Sequence, residues 1–206
     1  WFWSAILVKV LIDGIKFLGG GGPDYLSGVE VDSQDNVYVV GRFSQCFNSG
    51  PSNPYYSESR ISDNNGVYFT ANTTQNSCQR AFRAKFSNTG TFLWLHYIHE
   101  PTISSSATAL FWQNVYMVND VLHVIATLKP GNYENNAISN TNTSVPFLYY
   151  LLKYDTSGAL VSATPFDLQL SGYVSSRQPR WYGNPHDGDY YMVQSNNTAS
   201  ITMTAG

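Results

Sequence analysis

Charged residues and cysteine are both scarce in this sequence, and each shortage excludes a class of protein. Only 12% of the 206 residues are charged, about half the average share in globular proteins. The net charge of -3 leaves no basic patch of the kind that nucleic-acid-binding domains carry, so we expect no nucleic-acid partner. Two cysteines are too few for a structural zinc site of the common types, and we expect no metal and no cofactor.

Long hydrophobic runs are missing as well. No stretch of about 18 apolar residues occurs, so we expect no membrane-spanning segment. The apolar start, residues 1–8, has the character of a signal-peptide core, but Lys9, Asp13 and Lys16 follow closely and no small-residue cleavage site appears. We expect instead that this start is processed or truncated and that its residues belong to a strand.

Hydrophobic residues, aromatic residues and neutral polar residues make up most of the chain. The hydrophobic fraction of 43% and the aromatic fraction of 15% are sufficient for the core of a single domain over residues 1–206. Asn, Ser, Thr and Tyr supply the polarity that charged residues supply elsewhere. This composition is typical of secreted proteins and predicts an extracellular location or a place on a cell or particle surface.

Two hairpin patterns recur along the chain, and helical periodicity is almost absent. The first, the lysine hairpin, has an apolar strand with a lysine, a glycine-containing turn and a second apolar strand; it spans residues 5–18, 81–94 and 148–161. The second, the Asp/Asn hairpin, has two apolar strands around an Asp- or Asn-containing turn; it spans residues 28–41, 114–126 and 180–193. One hairpin of each kind amounts to four strands, which is the content of one propeller blade.

Two segments resemble a known repeat. Residues 19–43 contain GGGGPD, VEVD and NVYVVGRF, and residues 80–98 contain AFRAKF followed by Gly90 and Trp94. Together they resemble the SBBP-type β-propeller repeat. The resemblance implies a propeller fold, no catalytic residues, and a secreted or surface protein. The repeats of this chain are longer than those of that family, because polar insertions at about 44–79 and 129–146 lengthen them.

The repeat count is too low for a closed ring. Three copies of each hairpin give about twelve strands, or about three blades, whereas closed propellers typically have four to eight. We therefore predict an all-β chain of propeller-type four-stranded blades that is open, partial or completed by another chain. All three alternatives stay open from sequence.

The insertions contain all but one of the candidate modification sites, and the remaining one, Asn196, lies between the last strand pair and the tail. Cys46 and Cys78 bracket the first insertion, and their even number in an extracellular chain predicts a disulfide. Two free cysteines are the alternative. Three acceptor sequons, at Asn72, Asn142 and Asn196, fall in expected loops where an N-linked glycan can be accommodated.

Other polar residues have simpler structural explanations. The acidic segment 184–189 and the residues Asp32, Asp35 and Asn36 lie where the repeat places hairpin turns. Three histidines lie on expected strands or strand ends without a second ligand at metal-binding spacing: His96, His99 and His123. Four aromatic residues alternate within strands and are expected to pack between blades: Tyr38, Phe92, Trp94 and Tyr150.

The aromatic start is harder to assign to a core. Trp1, Phe2 and Trp3 precede the first strand and have no earlier blade to pack against. An uncovered apolar segment beside a strand edge promotes aggregation, so we expect a neighbouring subunit or additional sequence to cover it. The tail at 199–203 alternates as a further strand and is one candidate partner.

Three functions follow from these features. The first is an extracellular structural or assembly subunit, such as a surface-layer, appendage or filament component, that self-assembles or binds another surface protein without catalytic activity. The alternative is a lectin-like module that binds carbohydrate or protein through its long loops. Its loop tyrosines are Tyr55, Tyr56, Tyr68 and Tyr133.

The third is an enzyme. The order of Lys85, Gly90 and Trp94 is also similar to quinoprotein propeller repeats, but no cofactor-site signature is present. Paired carboxylates gathered from different blades would be another route to catalysis. Fold alone does not decide among these functions.

Overall fold

The chain is all-β wherever the structure, a computed structural model, describes it. The described residues are 6–8, 15–19, 24–44, 58–63, 66–72, 79–98, 110–143, 147–166, 168–170, 180–184, 189–193 and 201–203. Two compact units divide the chain, residues 1–108 and residues 109–206. One domain over residues 1–206 stays a prediction. A search of the described residues finds no helix long and apolar enough to cross a membrane.

Unit 1 has two four-stranded antiparallel sheets in its described part. Its strands are β1 (Ile6–Val8), β2 (Ile15–Gly19), β3 (Tyr25–Val31), β4 (Val37–Ser44), β5 (Glu58–Asp63), β6 (Gly66–Asn72), β7 (Gln79–Phe86) and β8 (Phe92–Tyr97). Sheet A has the strand order β1-β2-β5-β6, and sheet B has the order β3-β4-β7-β8.

Unit 2 has one four-stranded antiparallel sheet and three strand pairs in its described part. Its strands are β9 (Leu110–Val118), β10 (Val121–Leu128), β11 (Gly131–Tyr133), β12 (Ile138–Asn140), β13 (Leu148–Tyr154), β14 (Leu160–Pro165), β15 (Leu168–Leu170), β16 (Arg180–Gly183), β17 (Tyr190–Val193) and β18 (Ile201–Met203). Sheet C has the order β9-β10-β13-β14, and the pairs are β11-β12, β15-β18 and β16-β17.

Sheets B and C share one plan. In each, an Asp/Asn hairpin (β3–β4 or β9–β10) is followed by a lysine hairpin (β7–β8 or β13–β14), and the second strand of the first pairs with the first strand of the second. All six hairpins predicted from sequence are present as antiparallel pairs. The sheets confirm the all-β prediction and the four-stranded unit, while the number of propeller blades stays a prediction.

The two insertions contain structure that sequence analysis did not anticipate. The insertion between β4 and β7 of sheet B contains the hairpin β5–β6, and the insertion between β10 and β13 of sheet C contains the hairpin β11–β12. The first of these hairpins does not extend sheet B, because β5 pairs with β2 and so builds sheet A. These hairpins and the pair β15-β18 raise the strand count of the described residues from twelve to eighteen.

One turn type closes three of the hairpins. The side-chain oxygen of Asp32, Ser87 or Asp155 accepts hydrogen bonds from the backbone N–H groups two and four residues later. The residue at the third position after it has a positive φ, which favours glycine: 80° at Gly90 and 84° at Gly158. This recurrence explains at atomic level why turn residues repeat along the sequence.

Both faces of sheet B are buried along its two central strands. Residues opposite each other in antiparallel strands point to the same face, and one face carries the apolar core. That core contains Val37, Val39, Phe43, Phe82, Ala84 and Phe86, with Val29, Phe92, Leu95 and Tyr97 packed against it. Phe43 and Phe82 stack with ring centroids 4.2 Å apart. We call this face the apolar face, and the opposite one, which carries Lys85 in sheet B and Lys153 in sheet C, the lysine face.

The outer strands of the sheets are irregular. Five of the six outer strands of sheets A, B and C have one extra residue that their neighbouring strand does not match: β3, β6, β8, β9 and β14. The sixth, β1, pairs with β2 without a register shift in its described residues. Bulges of this kind twist an edge and hinder the addition of further strands.

Candidate functional site

The lysine faces of sheets B and C carry equivalent rows of polar residues. Register places Lys85 of β7 opposite Tyr38 of β4 and Trp94 of β8. It places Lys153 of β13 opposite His123 of β10 and Ser162 of β14. Lys85, Tyr38 and His123 are buried. Because these polar side chains are removed from water, we take the two rows as the candidate functional sites.

Asp32, at the end of β3, anchors the row of sheet B. Its Oδ2 lies 3.2 Å from Lys85 Nζ and accepts the hydroxyl hydrogen bond of Tyr38 at 3.0 Å. The Asn36 amide donates to both carboxylate oxygens, at 3.1 Å and 3.0 Å. Together with the turn N–H groups of Gln34 and Asn36, these donors occupy both oxygens of the carboxylate.

These contacts decide the protonation state of Asp32. Burial alone raises the pKa of this carboxyl, but the hydrogen bonds from Asn36 and Tyr38 and the contact with Lys85 outweigh it and lower the pKa to about 2. The carboxylate is therefore charged at neutral pH and fully engaged by its donors. Such a group holds a turn and two strands in place and is a poor proton acceptor.

Aromatic rings continue the row of sheet B. The Lys85 ammonium lies 4.8 Å from the centroid of the Tyr38 ring, within the range of a cation–π contact. Trp94 meets the Tyr38 ring edge-on at 6.0 Å and the His96 ring at 4.9 Å. The lysine thus lies between an anion and an aromatic face, and burial in this row does not leave its charge uncompensated.

The row of sheet C differs because a hairpin covers it. His123 Nδ1 and the hydroxyl of Tyr190, a residue of β17, form a hydrogen bond. The hydroxyl of Tyr116 and the amide of Asn114 both donate to the backbone carbonyl of Trp181 in β16. These bonds tie both strands of the hairpin β16–β17 to sheet C.

Apolar contacts complete this interface. Trp181 is buried, with its ring 5.1 Å from Phe166 and 5.5 Å from Tyr149 between centroids. Gly183 approaches Tyr116 so closely that a Cβ at this position would lie 2.7–2.9 Å from the tyrosine ring. The hairpin therefore packs its inner face, with Trp181 and Met192, on the lysine face of sheet C.

Burial keeps His123 neutral. Removal from water lowers the pKa of this imidazole, and the charge of Lys153 lowers it further, to about 4. At neutral pH the ring is uncharged, and Nδ1 is occupied by the Tyr190 hydroxyl. Like Asp32, His123 is engaged in holding strands together.

Acidification is expected to weaken unit 2. Because the unfolded chain binds a proton at His123 near pH 6.5 and the folded chain binds it only near pH 4, stability is lost as the pH falls through this window. Between pH 7 and pH 4.5 the expected loss is about 2 kcal/mol. Urea unfolding at both pH values, followed by tryptophan fluorescence, measures it.

A histidine substitution assigns the effect. His123→Gln removes the titrating group and is expected to abolish this part of the pH dependence. His96→Gln is the matched control, because His96 is exposed on β8 of unit 1. A pH dependence that survives His123→Gln unchanged would contradict the assignment.

Several sites predicted from sequence lie outside the described residues. They are the disulfide candidates Cys46 and Cys78, the sequon residue Asn196, the apolar start Trp1, Phe2 and Trp3, and His99. The other two sequons are described at the backbone. Asn72 is the last residue of β6, at a strand end, and Asn142 is half-buried just after β12.

The turn predictions are confirmed where the structure describes them. Asp32, Asp35 and Asn36 form the turn between β3 and β4, with Asp35 at a φ of 61°. The backbone N–H of Asn184 donates to the carbonyl of Asp189 at 2.8 Å, as expected for the two ends of a turn. Among the described residues, no group of three His, Cys, Asp or Glu side chains could hold a metal ion.

Tyr133, one of the loop tyrosines of the lectin-like alternative, lies in a core. Its side chain is fully buried, and its hydroxyl donates to the carbonyl of Lys129 at 2.9 Å. The hairpin β11–β12 contacts sheet C: the hydroxyl of Tyr150 in β13 donates a hydrogen bond to the carbonyl of Ser139 in β12 at 3.3 Å. A polar insertion therefore contributes to the core, which its composition did not reveal.

Sequence reasoning did not identify the ion pair of Asp32 with Lys85 or the hydrogen bond of His123 with Tyr190. The shared turn was a usable signal for Asp32, since the same spacing recurs after Ser87 and Asp155. No local signal indicates Tyr190, because its partner is 67 residues away in sequence. No protein-family model matches the chain, and no curated protein matches it.

Proposed function

We propose that the chain is an extracellular structural or assembly subunit, of the kind found in surface layers, appendages or filaments, built from propeller-type blades. The observation that carries the proposal is the contact of β16–β17 with sheet C. The inner face of the third Asp/Asn hairpin, which carries Trp181 and Met192, packs on the lysine face of sheet C. Met192 corresponds in the repeat to Val39 on the apolar face of sheet B. Stacking of one repeat on the previous one is the packing expected of propeller-type blades.

The chemistry of the buried groups supports a structural role without catalysis. Asp32 and His123 are buried, their pKa values are strongly shifted, and both are engaged by neighbouring strands. Strong shifts also occur at active sites. Here, however, the partners of Asp32 and of His123 are residues of neighbouring strands and turns.

Assembly is tested by deleting residues 1–3, the aromatic start Trp1, Phe2 and Trp3. If this segment is covered by a neighbouring subunit, the deletion is expected to convert an assembled species into a monomer, because the apolar contact is lost. Light scattering on the full chain and on the shortened chain gives the masses. An oligomer of unchanged mass would contradict this role of the segment, and a full chain that is monomeric at every concentration would contradict the assembly function.

A carbohydrate- or protein-binding surface module is the second candidate. Tyr182 and Tyr191 lie opposite each other on the outer face of β16–β17, with exposed fractions of 51% and 56%. Exposed aromatic residues with a polar neighbour such as Arg180 suit recognition. A glycan-array signal from a monomeric protein would favour this candidate over the assembly subunit.

A further inference from the structure

We propose that β17 of one chain pairs with β1 of a second copy of this chain, so that the lysine hairpin β1–β2 of the neighbour completes the half-sheet β16–β17. This inference rests on the proposed assembly function and specifies the partner and the register. It follows from the repeat, the exposed side chains of β17 and the regular edges of the two strands.

The repeat defines which strands belong together. In sheets B and C, the second strand of an Asp/Asn hairpin pairs with the lysine strand that begins the next hairpin: β4 with β7, and β10 with β13. The third Asp/Asn hairpin, β16–β17, has no such partner among the described residues, where β17 pairs with β16 alone. The lysine hairpin β1–β2 has a first strand that, in the described part, pairs with β2 alone.

The exposure of the side chains of β17 also indicates that a neighbouring strand is missing there among the described residues. In the repeat, Tyr191 and Val193 of β17 correspond to Tyr38 and Val40 of β4. The two residues of β4 are 1% and 0% exposed, whereas those of β17 are 56% and 59% exposed. An apolar pair that is buried in a complete sheet is therefore open in the half-sheet, which is a hydrophobic driving force for adding the missing strands.

The edges of β1 and β17 are suited to strand addition. Bulges interrupt the other five outer strands of the four-stranded sheets, as described above. In their described residues, the pairs β1–β2 and β16–β17 run without a register shift. A regular edge can form a continuous ladder of backbone hydrogen bonds with another chain, whereas a bulge interrupts such a ladder.

Sheet B provides the template for the register. In sheet B, Val39 lies opposite Ala84 and Val40 opposite Arg83. Aligning Lys9 with Lys85 and Tyr191 with Tyr38 places Met192 opposite Val8 and Val193 opposite Leu7 of the neighbouring chain. Because β1 and β17 belong to different copies, the contact is head-to-tail, and such contacts generate rings or open filaments.

Disulfide cross-linking tests the register. A chain with Leu7→Cys is mixed with a chain with Val193→Cys, and the oxidised mixture is examined by non-reducing electrophoresis. We expect a disulfide-linked dimer of the two variants, because opposite residues of adjacent strands lie within disulfide range. Tyr182→Cys is the matched control: it is similarly exposed on the same face, but β17 separates it from the proposed partner, so it is expected to give no dimer with Leu7→Cys.

A charge substitution tests the energetics by light scattering or sedimentation. Val193→Lys is expected to weaken self-association about tenfold or more, because it places a charge where the partner strand packs. Val161→Lys is the control, since Val161 is also 59% exposed but lies at the bulge of β14. Its self-association is expected to equal that of the unmodified chain.

The outcomes separate this inference from the assembly function. If the chain assembles but Val193→Lys and Val161→Lys behave alike, or if Tyr182→Cys cross-links as well as Val193→Cys, the strand pairing is wrong and assembly uses another surface. If a chain with both Leu7→Cys and Val193→Cys forms its disulfide as a monomer, the second copy is not the partner. If the unmodified chain is a monomer at all concentrations, the inference and the assembly function both fail.

Discussion

Asp32→Asn is expected to lower the free energy of unfolding of unit 1 by about 3–5 kcal/mol, because it leaves the buried ammonium of Lys85 without its counter-ion. Asparagine retains the shape of the side chain, so the loss reports charge and hydrogen bonding and not a cavity. Three residues besides the lysine donate hydrogen bonds to this carboxylate: Gln34, Asn36 and Tyr38. Denaturant unfolding at neutral pH measures the change.

The chain provides a matched control for this substitution. Asp155 forms the same turn, with its Oδ1 accepting the N–H groups of Ser157 and Ala159 at 2.8 Å and 3.0 Å. It is half-exposed and has no ion pair with Lys153 among the contacts of the described residues. Asp155→Asn is therefore expected to cost about 1 kcal/mol, the usual value of a local hydrogen bond.

A double substitution separates the ion pair from the turn. Asp32→Asn combined with Lys85→Met is expected to be less destabilising than Asp32→Asn alone, because the uncompensated charge is removed together with its partner. If the double variant is as unstable as the sum of the two single variants, the charge of Lys85 does not explain the loss, and the turn carries it.

Trp181→Ala is expected to destabilise unit 2 by about 3–5 kcal/mol, because it removes the largest side chain from the interface of β16–β17 with sheet C. Its ring contacts both Phe166 and Tyr149. Thermal or denaturant unfolding measures the loss. Hydrogen exchange is expected to show that β16 and β17 open before sheet C does.

The neighbouring tyrosine is the control. Tyr182 lies on the same strand with its side chain on the opposite, exposed face. Tyr182→Ala is expected to change the free energy of unfolding by about 0.5 kcal/mol or less. Equal losses for the two variants would mean that the hairpin does not dock through its Trp181 face.

Local signals were sufficient to predict the hairpins. Glycine at the left-handed position of a turn, as at Gly90 and Gly158, marks where a strand reverses, and the backbone there has the positive φ that the pattern implies. The lysines mark corresponding strands, since Lys85 and Lys153 occupy the same place in sheets B and C. Such features depend on a few neighbouring residues, so they are present in the sequence itself.

Pairing between distant segments could not be predicted in the same way. Nothing around residues 58–72 indicates that β5 pairs with β2 and builds a separate sheet. Likewise, the polar segment around Tyr133 does not show that this tyrosine becomes part of a core. These outcomes depend on which apolar surfaces meet after the chain folds, and many pairings of short strands satisfy the same local preferences.

The lysine hairpins and the Asp/Asn hairpins were therefore determined by the sequence alone, through turn chemistry and strand patterning that act over a few residues. Only the tertiary structure decided how they combine: two complete four-stranded sheets, a first lysine hairpin joined to an insertion, and a last Asp/Asn hairpin whose Tyr191 and Val193 are exposed. The physical reason is that strand pairing and face burial are properties of two surfaces in contact, and a segment on its own specifies only one of them.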